Sequence, residues 1–212
     1  MADTKSEILD SALRILNQSG LSGLSVRAVA QDLGLSPGNV SYHFRKKESL
    51  VAALATRLAE RNVRQLAHEI DDVPGFLELF RSLFHGQYAF RGLHLALPDV
   101  LATFADIRAA YRGRERARRR SVLGLLLRLR AGGALDASDD ELSRLVSKLT
   151  FVARFWIAES TVSYPDATED ELVAHYLALL ADDLYAYATA DARAQLASYL
   201  EGLIAPDDRA AP

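Results

Sequence analysis

Apolar residues recur at intervals of three and four positions along almost the whole chain, the spacing that places side chains on one face of an α-helix. No β-branched run with alternating apolar and polar positions lies between turn signals, so the pattern favours helices throughout. Breaks rich in Gly and Pro divide the chain into about nine or ten helices. After three N-terminal helices, the predicted segments are residues 46–70, 75–91, 93–103, 106–131, 138–163, 168–189 and 190–204.

The segment 25–50 predicts two short helices joined by a tight turn. Ser25 is a candidate N-cap of the first helix, and Ser36 followed by Pro37 is a candidate start of the second. Gly34 allows the chain to leave the first helix through a positive φ angle at little cost.

Val40 and Phe44 lie four positions apart in the second of these helices and are expected to pack inward. The residues between them and before them then face outward, and they are small or carry hydrogen-bonding groups. Two helices joined in this way form a helix-turn-helix, whose second helix enters the major groove of DNA.

This run resembles the N-terminal domain of TetR/AcrR-type bacterial transcriptional regulators. The resemblance rests on Leu24–Arg27, Leu33–Gly38, Tyr42–Phe44 and Lys46–Leu50 and covers about the first 55 residues. Ser41 departs from it, because many relatives carry a larger, often apolar residue there. The remainder of the chain is similar to the family in length and helical character.

The resemblance implies an all-α fold in which a three-helix helix-turn-helix domain is joined by a long helix to a helical ligand-binding and dimerisation domain. The expected boundaries are 1–47 for the DNA-binding domain, 48–204 for the ligand-sensing and dimerisation domain, and 205–212 for a flexible C-terminal tail.

Base readout is assigned first to Asn39, because an amide pairs bidentately with the edge of adenine. The alternative for Asn39 is helix capping or plain solvent exposure. Arg27 contacts guanine or phosphate in the family, or is an ordinary surface arginine here. Tyr42 is interpreted as a phosphate contact or as half-buried packing, and His43 as a phosphate contact or as a neutral side chain against the first helix. The full set of predicted DNA contacts is Ser25, Arg27, Ser36, Pro37, Gly38, Asn39, Ser41, Tyr42, His43 and Lys47.

The central region is rich in aromatic residues, and the resemblance implies a mostly apolar ligand cavity there. Core packing is the alternative for most of these side chains, and Arg154 with Glu159 is also interpretable as a simple ion pair. The candidate ligand-binding residues are Tyr88, Arg91, His94, Phe104, Tyr111, Arg154, Phe155 and Glu159.

Two adjacent helices near the C-terminus have wide apolar faces with few charges at their centres. In the family the corresponding pair meets its copy in a four-helix bundle, and the alternative is that both complete the core of a monomer. A helix-turn-helix normally reads two half-sites through a two-fold dimer, which favours a homodimer. The candidate contacts are Leu145, Leu149, Val152, Trp156, Tyr176, Leu180 and Leu184.

The net charge of −3 is distributed unevenly along the chain. Residues 1–50 hold six basic and five acidic residues, residues 51–130 hold 14 and eight, and residues 131–212 hold five and 15. DNA is therefore expected to meet the N-terminal part. The arginines between 108 and 120 suggest a second nucleic-acid surface or, as the favoured interpretation, a solvated or salt-bridged face.

Several function classes lack their characteristic residues in this sequence. The chain has no cysteine, which excludes disulfides and thiolate metal sites, and it has no apolar run of about 18 residues. Gly-rich phosphate loops and His-Glu-x-x-His are missing as well, and with no strand predicted there is no strand-to-helix nucleophile elbow, so an enzyme, a metal site and a cofactor are not expected. A cytoplasmic location is expected.

The sequence thus predicts a ligand-responsive, homodimeric transcriptional regulator that binds a palindromic operator in double-stranded DNA. Repression, with release by a small and lipophilic effector, is the favoured mode of action. The alternative is a helical ligand-binding or scaffold protein that lacks specific operator recognition, which a weak salt dependence of DNA binding would reveal.

Overall fold

The computed structural model describes residues 4–67 and 70–203. Within these ranges the chain forms helices and no named strand, so the predicted all-α class is confirmed. The predicted tail at 205–212 lies outside the described residues. The helices are α1 (Thr4–Gly23), α2 (Val26–Asp32), α3 (Pro37–His43), α4 (Lys47–Leu66), α5 (Val73–Tyr88), α6 (Arg91–Leu95), α7 (Leu97–Thr103), α8 (Ala105–Ala131), α9 (Asp139–Ser163), α10 (Glu169–Tyr185) and α11 (Ala190–Glu201).

The predicted helix 93–103 is in fact two helices, α6 and α7, which meet at Ala96. Pro98 lies in the first turn of α7, where its missing N–H costs nothing, whereas a continuous helix would place its ring against a preceding carbonyl. The prediction of a single helix was therefore wrong at this point.

Helix α10 ends at Tyr185, four positions before its predicted end. The segment that follows is held by the loop after α8 instead of continuing the helix. The Asp136 N–H donates to the carbonyl of Tyr187 at 2.8 Å, and the Thr189 N–H donates to the carbonyl of Ala134 at 3.1 Å. These two bonds occupy the backbone groups that a longer helix would need.

Two of the C-terminal helices begin with a reciprocal cap. Ser138 and Glu141 form the cap of α9, and Thr168 and Glu171 form the cap of α10. The hydrogen bonds from Ser138 lower the pKa of Glu141, and those from Thr168 lower the pKa of Glu171. Each cap satisfies N–H groups that have no partner inside the helix.

The chain forms two compact units, each with its own apolar core. The first takes its residues from 1–61 and 89–113, and the second from 62–88 and 114–212. Helix α4 contributes to both, since Leu50 and Leu54 are buried in the first core and Leu66 packs against the second. The predicted domain boundary at residue 47 stays a prediction.

In the first unit, α6 packs directly on α1. The Asn17 side chain bridges the two helices, donating through Nδ2 to the carbonyl of Ala89 and accepting at Oδ1 from the N–H of Gly92, both at 2.9 Å. A Cβ atom at Gly92 would lie 2.3 Å from the carbonyl oxygen of Leu16. Only glycine allows the backbones to approach this closely.

In the second unit, Trp156 is the largest side chain that is fully buried. Its ring contacts those of Phe84, Tyr88 and Tyr176, at centroid distances of 5.1, 6.1 and 5.4 Å. Its indole N–H donates to Oε1 of Gln87 at 2.6 Å, which satisfies the one polar group of the side chain. None of the described helices is long and apolar enough to cross a membrane.

Replacing Gly92 by alanine should destabilise the protein by about 1–3 kcal/mol, because the new methyl group meets backbone atoms of α1 that cannot turn aside. Chemical denaturation followed by circular dichroism measures the effect. Gly113→Ala is the matched control: a Cβ at this helical position meets nothing within 4 Å, so about 0.5–1 kcal/mol of added stability is expected. Equal unfolding midpoints for the two variants would contradict the close approach of α6 to α1.

Candidate nucleic-acid interface

Local capping fixes the ends of α2 and α3. The hydroxyl of Ser25 accepts a hydrogen bond from the N–H of Ala28 at 3.0 Å, and that of Ser36 accepts from the N–H of Asn39 at 3.3 Å. Pro37 occupies the first turn of α3, and Gly34 has a φ of +65° in the turn. The predicted helix-turn-helix is therefore confirmed at Ser25, Gly34, Ser36 and Pro37.

Packing decides which side of α3 faces solvent. Val40 is fully buried and Phe44, just after the helix, is 4% exposed, as predicted. Burial of two such side chains contributes about 1.5–3 kcal/mol each. Tyr42, between them in sequence, is 86% exposed, so the interpretation of Tyr42 as half-buried packing does not hold.

An ion pair and two hydrogen bonds attach the helix-turn-helix to its neighbours. The Asp32 carboxylate at the end of α2 accepts from the Ser11 hydroxyl at 2.6 Å and from the Arg14 guanidinium at 2.5 Å. The Ser11 bond, followed by the Arg14 bond, lowers the pKa of Asp32. At the start of α4, the Lys47 ammonium donates to the carbonyl of Leu21 at 2.7 Å.

The predicted DNA contacts lie on α2, on α3, in the turn between them and at the start of α4. Arg27, Ser36, Pro37, Gly38, Asn39, Tyr42 and His43 are exposed, whereas Ser25, Ser41 and Lys47 are half-buried. His43 faces solvent, and its ring meets the edge of the Tyr42 ring at 5.1 Å instead of lying against α1. Contact of these side chains with DNA stays a prediction.

Two exposed cations, Arg45 and Lys46, are not among the predicted DNA contacts. Arg45 and Lys46 follow α3 directly, in the basic run that reaches Lys47. Lys46 pairs with Glu48, and this carboxylate raises the pKa of the Lys46 ammonium. Arg45 has no hydrogen bond or ion pair among the described residues and is therefore available to a phosphate.

The eight candidate ligand residues are divided between the two units. Arg91, His94, Phe104 and Tyr111 belong to the first unit, and Tyr88, Arg154, Phe155 and Glu159 belong to the second. The proposed pair of Arg154 and Glu159 does not form: Arg154 contacts Glu115, and Glu159 accepts from the Ser163 hydroxyl. Tyr88 stacks on Trp156. A ligand role for the eight stays a prediction.

The side chains named for the subunit contact lie mostly inside one protomer. Leu145, Leu149, Trp156, Tyr176, Leu180 and Leu184 are at most 4% exposed, and Val152 packs against the same core. Side chains buried in this way are not available to a second subunit. The exposed apolar residues of α9 and α10 are Phe151, Phe155, Val162, Leu179 and Tyr185.

The arginines of α8 form a partly paired surface, in line with the favoured interpretation. Arg118 donates to Glu115 at 2.9 Å, and Arg119 donates to the hydroxyls of Thr150 and Ser147 at 3.1 and 2.7 Å. Arg112, Arg116 and Arg120 are exposed. The acidic partner of Arg118, Glu115, lies on the same helix.

Two family models match the chain. Residues 8–54 match the model of bacterial regulatory proteins of the tetR family, and residues 50–196 match the TetR model of a bacterial transcriptional repressor.

Curated relatives give shorter matches. The class D tetracycline repressor protein from Escherichia coli is 34% identical over 58 residues, which are 27% of this chain and 27% of that protein. The HTH-type transcriptional repressor AcnR from Corynebacterium efficiens is 28% identical over 136 residues, or 63% of this chain and 67% of the relative. The chain thus spans about a quarter of the tetracycline repressor it matches.

Solved structures share the fold over nearly the whole chain. A TetR-family transcriptional regulator from Marinobacter aquaeolei VT8 superimposes with a TM-score of 0.87 and 22% identity, covering 96% of this chain and 100% of that one. The ketosteroid transcriptional regulator KstR2 of Mycobacterium tuberculosis gives 0.67 and 16%, covering 89% and 97%.

Substitution of the outward face of α3 should weaken DNA binding without unfolding the protein. Asn39→Ala is expected to reduce the free energy of operator binding by about 1–3 kcal/mol and to weaken the base preference at one base pair. Tyr42→Ala is expected to weaken binding to all DNA sequences equally. Fluorescence anisotropy on DNA selected from a random pool measures both effects. Gln18→Ala, which removes an exposed amide from α1, is the control and should leave affinity unchanged. Wild-type affinity and specificity in both α3 variants would remove α3 as the reading helix.

Proposed function

The chain belongs to the TetR family of bacterial transcriptional regulators, and we propose that it is a repressor that a small-molecule effector releases from a palindromic operator. Regulators of this family bind DNA and dimerise. For this chain we propose a palindromic operator, a small-molecule effector, repression and not activation, and a cytoplasmic location.

The single observation that carries the proposal is the outward face of α3. This helix is held from behind by Val40 and Phe44, and it presents Asn39, Tyr42 and His43 to solvent. An amide and a phenol on a rigid, short helix supply base readout and phosphate positioning in the major groove. Arg27 and Arg45 add exposed positive charge on either side along the chain.

A second copy of the chain is needed because one short helix reads only a few base pairs. Two-fold symmetry gives two recognition helices about 34 Å apart, and it makes the operator a palindrome. The exposed apolar side chains of α9 and α10 favour these helices as the contact between subunits. Phe151 is 63% exposed and Val162 is 81% exposed, which is costly for an isolated protomer in water.

Release by an effector requires a part of the chain that belongs both to the DNA-binding unit and to the effector-binding unit. Helix α4 is this part, because Leu50 and Leu54 are buried in the first core and Asn62 is buried in the second unit. An effector that prefers one arrangement of α4 by a few kcal/mol changes the population of the DNA-binding state.

The rival function is a helical ligand-binding or scaffold protein that does not recognise an operator. Selection of binding sites from random DNA separates the two functions. An inverted repeat with half-sites about one helical turn apart, bound with steep salt dependence, is the expected result for the repressor. Recovery of unrelated sequences, bound weakly and with a shallow salt slope, is the result for the rival.

Charge introduced on the outer face of α9 should separate the subunits. A protein carrying both Phe151→Asp and Val162→Asp is expected to sediment as a monomer and to lose about tenfold or more in operator affinity, since only one half-site stays occupied. Val63→Asp is the control, because Val63 is 67% exposed on α4 and not on the proposed contact. Analytical ultracentrifugation gives the mass, and a dimer that survives both substitutions would place the contact elsewhere.

A further inference from the structure

The second unit contains a small enclosed cavity between α4, α5, α8 and α9. Its volume is about 20 Å³, which is enough for about one water molecule. Most of its wall is apolar. The lining residues are Asn62, Leu66, Phe80, Leu83, Gln87, Arg118, Val122, Leu149, Thr150 and Ala153.

Asn62 lines this cavity and carries an unsatisfied hydrogen-bond acceptor. The residue is 7% exposed, and its Oδ1 atom is buried with no hydrogen-bond partner among the described residues. One turn further along α4, Oε1 of Gln65 is also buried and unpartnered in the described part of the chain. Unpaired buried acceptors lower stability, so they mark a place where a donor is missing.

The other neutral polar side chains of the wall are already engaged. Gln87 accepts the Trp156 indole N–H at 2.6 Å. Thr150 donates its hydroxyl to the carbonyl of Val146 at 2.7 Å and accepts from Arg119 at 3.1 Å. A ligand in the cavity therefore gains most by bringing a donor to Asn62.

We propose that the effector is an uncharged apolar compound with a hydroxyl group, an alcohol or a phenol, whose O–H donates to Oδ1 of Asn62. This inference rests on the proposed function and names the ligand class of its sensing unit. A carboxylate has no hydrogen to donate to Asn62, and the Arg118 guanidinium that would attract it is already paired with Glu115. A cation finds no carboxylate among the lining residues. The aliphatic and aromatic walls cover the rest of the molecule.

The small size of the cavity relates effector binding to a change in DNA affinity. The cavity is smaller than any alcohol or phenol with an apolar body, so binding selects a state in which the walls stand further apart. One of these walls is α4, which also carries Leu50 and Leu54 in the first core. A ligand that binds only the wider state has the differential affinity that a population shift requires.

The test compares hydroxyl compounds with their own methyl ethers. A panel of 4-alkylphenols and straight-chain alcohols, each paired with the corresponding methyl ether, is titrated into the full-length protein and followed by thermal shift and calorimetry. The variant is Asn62→Leu, which keeps the branched shape and the number of heavy atoms of the side chain and removes the acceptor. Val63→Ala is the control, since Val63 is the exposed neighbour on the same helix.

For the wild type and Val63→Ala, members of the hydroxyl series are expected to bind about tenfold more tightly than their ethers. Asn62→Leu should lose this difference and should melt at a higher temperature than the wild type without ligand, because the unpaired acceptor is gone. Binding that ignores the hydroxyl, a preference that persists in Asn62→Leu, or binding of no member of the panel would each overturn the inference.

Operator binding, measured on the same samples, distinguishes a wrong ligand class from a wrong function. A wild type that binds its selected DNA specifically and ignores the hydroxyl group overturns the ligand class and leaves the regulator in place. A wild type without any sequence preference for DNA overturns the proposed function itself.

Discussion

Burial of Val40 and Phe44 in the first core fixes the orientation of α3. These two side chains leave α3 only one way to lie on its neighbours, and that orientation exposes Asn39, Tyr42 and His43 together. A helix of seven residues is not stable in water by itself, so this burial also keeps α3 helical. The core behind the helix therefore sets both the shape and the direction of the reading surface.

The first unit extends beyond the helix-turn-helix. Residues 89–113 join it, and the bridge from Asn17 to Ala89 and Gly92 holds α6 against α1. The backbone contact at Gly92 leaves no room for a side chain, so α6 is seated on α1 in one defined position. The chain therefore passes between the two units three times, after residues 61, 88 and 113.

The core of the second unit contains several buried polar atoms without a hydrogen-bond partner in the described part of the chain, namely Oδ1 of Asn62, Oε1 of Gln65 and the hydroxyl of Tyr176. Trp156 is surrounded by rings, and its single polar group is paired with Gln87. Asn62 lies beside this pair in the wall of the small cavity and has no donor for Oδ1 in the described part of the chain. An uncompensated polar atom of a residue that lines a cavity is more informative about ligand chemistry than the abundance of aromatic residues.

The sequence alone determined the helical class, the caps at Ser25 and Ser36, the turn at Gly34 and the inward pair on α3, because each follows from local rules of spacing, capping and backbone sterics. It did not determine which apolar residues of α9 and α10 stay exposed. Leu149 and Phe151 are both apolar, yet one is fully buried and the other is 63% exposed. Burial depends on neighbours that are distant in the chain, and so does the missing donor at Asn62, which only the tertiary structure reveals.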